Sequence, residues 1–176
     1  AAFSTYSGLT DEVKIATARS GNPAGIPVGT LFTGNGIDGQ IVRISADGAT
    51  IINPWVDLPG TNNGLMRGSL YVDRTGIYNG DLIVATTTGE LWRINPNTAA
   101  PTRIAVTGTH LEGLITVPNI PVRYGPLAGK IIAGASPYAA TDGEARAILG
   151  RLEALLAFAE REAIVGVGLS DVPALY

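Results

Sequence analysis

FTGNGIDGQIVRIS, residues 32–45, sets Gly34, Gly36 and Gly39 in the GxGxxG spacing that lets a backbone approach a pyrophosphate. In a dinucleotide site that motif opens a helix whose first amides face the phosphates, whereas here it runs into QIVRIS, a β-rich stretch with the Asp47–Gly48 turn after it. The glycines therefore read as a hairpin bend. A protein-kinase glycine loop also sits in a hairpin, but the chain beyond it contains no VAIK-like lysine, HRD or DFG. The single histidine, His110, has no cysteine or second histidine with which to build a zinc site, and no GxSxG elbow supplies a nucleophile for it to activate. It reads as a turn or strand-end residue. Asp38, Asp47, Asp57, Asp81, Asn62 and Asn63 fall in turns without a DxDxDG run, as expected of side chains that bond nearby backbone amides. Among the aromatics, Trp55 and Tyr78 are the candidates for a glycan- or protein-binding surface, with strand packing as the competing role.

What would position these residues is a repeat. Gly29-Thr30-Leu31-Phe32, Gly80-Asp81-Leu82-Ile83 and Gly129-Lys130-Ile131-Ile132 are separated by 51 and 49 residues, each a turn glycine before an apolar run. Gly39-Gln40-Ile41-Val42-Arg43-Ile44 and Gly89-Glu90-Leu91-Trp92-Arg93-Ile94 lie 50 apart and share an Arg-Ile ending. The stretches between them read as strand, glycine turn, strand. ATIINPW and PTRIAV add an outer strand, and GSLYV and GLITV an inner one, so each unit predicts four short antiparallel strands. Four strands recurring at about 50 residues is the pattern of propeller blades.

Bulk properties restrict partners. In 176 residues, 23 Gly and 11 Pro signal many turns, while 45% hydrophobic residues argue for a packed core. Only 15% of residues are charged against roughly 25% in ordinary soluble domains, so much of the surface is expected either to be Gly, Thr, Asn and Ala or to be covered by neighbours, in a homo-oligomer or against another surface protein. A net charge of -3 with no basic run leaves no footprint for nucleic acid, and no apolar run is long enough for a membrane span. The start, AAFSTYSG, has no charged-then-apolar leader, so any signal peptide is expected to have been removed.

GNGIDGQIVRIS, NPWVDLP, RGSLYVDRTGIYNGDLIVATTTGELWRI and THLEGLITVPNIPVRYGPLAGKIIAGA together resemble a group of exported bacterial propeller-repeat proteins, distantly similar to gluconolactonase/SMP-30-like and NHL-like propellers, over residues 27–135. The resemblance implies an extracellular or cell-surface location. In lactonase-like propellers a Glu at the start of an inner strand is a metal ligand, and the resemblance implies Glu112 as a Ca²⁺ contact, with Asn119 and Asp73 as further oxygen donors. An ion pair between Glu112 and Arg67, which align at equivalent strand starts, is the competing assignment.

The pattern stops after Ala135. Thr141 and Glu144 form a capping box, and Ala145, Ile148, Leu149, Leu152, Leu155, Leu156 and Ala159 keep helical spacing, predicting an amphipathic helix over 142–163 in which Leu152 and Leu156 are interface candidates. The expected architecture is mainly β: an N-terminal segment (1–26), a propeller-like repeat domain (27–136), and a C-terminal helix and tail (137–176). Two and a half blades do not close a ring, for which at least four are used. No catalytic residue is assigned. The expected function is an exported, noncatalytic structural or interaction module that self-assembles; the alternatives are a Ca²⁺-dependent lactonase-like enzyme and a glycan- or protein-binding propeller fragment.

Overall fold

A computed structural model of the chain describes residues 3–7, 14–60 and 69–135. The strands are β1 (Ile15–Thr17), β2 (Leu31–Gly34), β3 (Gln40–Ile44), β4 (Ile51–Asp57), β5 (Ser69–Val72), β6 (Leu82–Ala85), β7 (Glu90–Asn95), β8 (Ala100–Val106), β9 (Leu111–Thr116) and β10 (Ile131–Ala135). They pair antiparallel in chain order as two four-stranded sheets, β1-β2-β3-β4 and β5-β6-β7-β8, and a two-stranded sheet, β9-β10. The protein is mainly β. The described strands form open sheets and close no ring.

The three sheets pack face to face, and period-two alternation decides which residues meet. Ala16, Phe32, Ile41 and Val56 of the first sheet pack against Leu70, Val72, Leu82, Val84, Trp92 and Ile94 of the second. The intervening residues of the second sheet, Tyr71, Ile83, Ala85 and Leu91, face the third, where they meet Leu111, Leu114, Ile131 and Ala133. Covered on both faces and flanked on both edges, β6 is the one strand among the described residues that is a continuous apolar run with every residue at 0% exposure. At about 1.5–3 kcal/mol for each large apolar side chain removed from water, this central strand is the principal anchor of the stack. The inner strands run side by side, β1 beside β5 and β5 beside β9.

The repeat seen in the sequence is a repeat of backbone conformation. Pro27–Thr30, Tyr78–Asp81 and Leu127–Lys130 are equivalent four-residue turns, each closed by the fourth N–H donating to the first carbonyl, at 3.1, 3.0 and 3.1 Å. The third residue of each is glycine with φ of 89°, 74° and 72°, a region that costs other L-residues energy. Outer strands β4 and β8 carry register shifts, and their prolines, Pro54 and Pro101, sit where an edge strand tolerates a missing N–H.

Two differences from the sequence reading stand out. β1 comes from residues before 27, because three residues are too few to carry a visible alternation. Between β9 and β10 the chain makes one short helix, α1 (Pro121–Tyr124), with Pro at its first turn, and then a 3-10 turn, Gly125–Leu127. The expected helix over 142–163, with Leu152 and Leu156, lies outside the described residues. Among the described residues, no helix is long and apolar enough to cross a membrane.

Candidate functional site

The three inner strands end alike, and the loops beyond their ends join the sheets. Ala18, Asp73 and Val117 each donate a backbone N–H to the residue after the repeat glycine, Thr30, Asp81 and Lys130, all at 2.9 Å. At the first and third ends the carbonyl of Ala18 or Val117 also accepts the N–H of the repeat glycine, Gly29 at 2.9 Å and Gly129 at 3.2 Å. In the middle repeat a carboxylate takes that role: Asp73 Oδ2 accepts the N–H of Gly80 at 3.3 Å and that of Tyr78 at 2.9 Å. Its Oδ1 accepts the Thr75 N–H at 2.9 Å, the Thr75 hydroxyl at 2.7 Å and the Thr116 hydroxyl of β9 at 2.9 Å. Five donors thus surround one fully buried carboxylate, and one of them comes from the next sheet.

Burial alone would push the Asp73 carboxyl up; the hydrogen bonds from Thr75, Tyr78 and Thr116 outweigh it and hold the group below the usual carboxylate range. A depressed folded-state pKa means that its contribution to stability is complete above the unfolded value, about 3.9, and is lost as pH falls through the folded one. Thermal unfolding measured from pH 7 to pH 2 should therefore show an acid limb that Asp73→Ala lacks in part. An unchanged difference in Tm between the two proteins across that range would contradict this.

Tyr78 extends the joint. Its hydroxyl donates to the carbonyl of Gly129, the repeat glycine of the next unit, at 3.1 Å. One repeat earlier, Asn22 Nδ2 donates to the carbonyl of Gly80 at 3.2 Å, so the carbonyls of Gly80 and Gly129 each receive a side chain from the preceding inner loop. Beneath Tyr78 the Arg93 guanidinium lies 5.8 Å from the ring centroid, donates from Nη2 to the Tyr78 carbonyl at 3.3 Å, and pairs through Nε with Asp81. Burial, then the Asp73 charge, raises the Tyr78 hydroxyl above its ordinary pKa, with Arg93 opposing. Arg43, the equivalent of Arg93, instead donates to the Pro96 carbonyl at 2.9 Å and stacks 5.9 Å from both the Phe32 and Trp55 rings. Trp55 packs on Phe32 with centroids 5.0 Å apart. In the structure, then, Trp55 and Tyr78 pack and tie sheets.

Asp73 and Glu112 are not brought together. Gly113, at φ 67°, makes a bulge in β9 between Glu112 and Leu114, opposite Ala133 and Gly134. The extra residue turns Glu112 outward while Leu114 and Thr116 stay buried, so Glu112 lies on the face away from Thr116, the residue that reaches Asp73. Glu112 Oε1 sits 3.6 Å from His110 Nε2 instead. Asn119 is exposed in the β9–β10 loop, its side chain beside Gly129. Arg67, the other expected partner of Glu112, lies outside the described residues. Among the described residues no three His, Asp or Glu side chains gather in a cation-binding group, and the oxygens of Asp73 are already occupied by protein donors. The sequence reading missed Asn22, Arg93 and Thr116 as members of the joint; the Arg43/Arg93 alignment was the visible signal for one of them.

No family model matches this chain, and comparison with curated proteins finds no significant match.

Proposed function

We propose that the chain is a noncatalytic, propeller-type β-repeat module of an exported surface structure, which assembles with further copies of itself by adding sheet to sheet. The observation that carries this reading is the outward face of the third sheet. Ile115 and Ile132 stand directly opposite each other on β9 and β10, and are 50% and 37% exposed on the face turned away from the second sheet. The same face of the second sheet is covered by the third, so the Ile115–Ile132 pair occupies the place where a further sheet would pack. Stacked sheets joined by equivalent loops support the propeller-type geometry; the export and surface location rest on the resemblance of residues 27–135 to exported repeat proteins.

Light scattering and negative-stain microscopy test the assembly. The expected result is a ring or filament in the wild type that dissociates to monomer in Ile115→Lys/Ile132→Lys, with Tm of the monomer little changed because both side chains are at the surface. A wild type that stays a monodisperse monomer at high concentration, without ordered polymer, would remove the reading.

A further inference from the structure

The two joints between sheets share one polarity, because the loop after each inner strand leans onto the following repeat. At the first joint the β1–β2 loop covers three places in the second repeat. Asn22 Nδ2 holds the Gly80 carbonyl, the Ala24 carbonyl accepts the Asn97 side-chain amide at 2.9 Å, and the Pro23 ring comes within 3.6 Å of where a Cβ on Gly76 would stand. At the second joint the Tyr78 hydroxyl of the β5–β6 loop holds the Gly129 carbonyl. The first repeat contains the same three places. Gly25 and Gly76 each precede their repeat glycine by four residues, at φ 71° and 77°, and Asp47 stands 50 positions before Asn97 in the equivalent outer turn. There these places are open: a Cβ on Gly25 would meet nothing within 4 Å, Val28 beside Gly29 is 60% exposed, and Asp47 is at the surface. The β9–β10 loop has the matching surplus. Val122 is 95% exposed, with Ile120, Leu127 and Arg123 exposed around it, the Arg123 guanidinium lying 5.4 Å from the Tyr124 ring centroid.

We propose that these two surfaces are the halves of one joint made between copies: the β9–β10 loop of one copy docks on the Gly25–Gly29 surface and Asp47 of the next, head to tail. The inference rests on the assembly reading above and adds a polarity and a contact to it. Twice within the chain the inner loop of one repeat covers this surface or its glycine carbonyl on the repeat that follows, so a second copy continues a joint the fold already makes. The chemistry of the two halves agrees. Pro27 and Val28 offer an apolar seat for Ile120 and Val122, large side chains that gain by leaving water. Asn97 donates to the carbonyl of the loop above it, which the carboxylate of Asp47 cannot do; an acceptor in that place calls for a donor, and the Arg123 guanidinium supplies a charged one. The same polarity turns the Ile115–Ile132 face of one copy toward the first sheet of the next. Unlike halves leave one of each free on every copy added, so the contact propagates into a ring or a filament.

The chain has no cysteine, so single cysteines report the contact. Val28→Cys and Val122→Cys alter exposed side chains, and both proteins are expected to melt with the wild type. Treated with a short bismaleimide, each variant alone should stay monomeric on a denaturing gel. An equal mixture should give a covalent dimer, and the double variant a ladder of dimers, trimers and longer chains. In light scattering Arg123→Glu is expected to weaken association about fivefold, and Asp47→Arg in the same chain to restore it. Dimer from Val122→Cys alone would mean that like faces meet about a two-fold axis. No dimer from the mixture, under conditions where the wild type associates, would mean that copies meet elsewhere. Either result overturns the inference and leaves the assembly reading standing, whereas a monomeric wild type removes both. Association unaffected by Arg123→Glu overturns the pairing with Asp47.

Discussion

Asp73→Ala is expected to lower the unfolding free energy by roughly 3–5 kcal/mol and Tm by about 10 °C or more. The side chain is fully buried and accepts five hydrogen bonds, from the backbone of Thr75, Tyr78 and Gly80 and the hydroxyls of Thr75 and Thr116. Alanine leaves these donors facing a void, and an unsatisfied buried donor costs about 1–3 kcal/mol. Asn is expected to cost less than Ala. With its oxygen toward Tyr78 and Gly80, its amide can donate to the two threonine hydroxyls, which rotate to accept, and only the Thr75 N–H then opposes another donor. Urea unfolding of wild type, Asp73→Asn and Asp73→Ala should give stability in that order. Equal stability of Asp73→Ala and wild type would mean that the clasp contributes nothing, leaving apolar packing and the Tyr78–Gly129 hydrogen bond to join the second and third sheets.

The repeat glycines supply the second test, because identical backbone conformations occur in different surroundings. Ala at Gly29 or Gly129 is expected to cost about 1–2 kcal/mol, the penalty of placing an L-residue at positive φ. Their added Cβ would approach no closer than 3.3 Å to Ala46 and 3.4 Å to Asn119. At Gly80 the φ of 74° is comparable, but a Cβ would lie 2.7 Å from the backbone nitrogen of Ala24 and 2.7 Å from Asn22 Oδ1. Those atoms are themselves bonded, Ala24 N–H to Asn22 Oδ1 at 2.8 Å, and Asn22 also holds the Gly80 carbonyl. Gly80→Ala must therefore displace the loop joining the first two sheets, and a loss of about 3 kcal/mol or more is expected, compounding conformational strain with broken contacts. Denaturant midpoints of the three variants give the comparison directly. If all three lose the same amount, the inner loops do not touch at Gly80.

Much of the architecture was legible in the chain. Turn glycines 51 and 49 residues apart, each before an apolar run, marked the three second strands, and the recurrence of Arg then Ile 50 residues apart marked the third strand of two sheets. The candidate site was far less legible. Glu112 and Asp73 were both associated with inner strands, yet a single bulge residue, Gly113, reverses the alternation within β9 and sends Glu112 to the outer face. Asp73 resembled an available oxygen donor, yet four of its five hydrogen bonds come from Thr75, Tyr78 and Gly80, within seven residues of it, and only the Thr116 hydroxyl is distant along the chain.

Left-handed glycine turns, alternating side chains and hairpin lengths are properties of a few consecutive residues, which is why the period, the strand pairing order and the mainly β class could be read from the chain alone. Which faces meet, where Arg43 and Arg93 point, and what encloses Asp73 were decided in three dimensions. Thr116 reaches Asp73 from 43 positions along the chain, and the Arg43 contact to Pro96 spans 53. Side chains that far apart become neighbours only after sheets have stacked, and the choice between binding a ligand and bonding the protein is made by that stacking, since a buried carboxylate takes whichever donors the neighbouring sheet brings within reach.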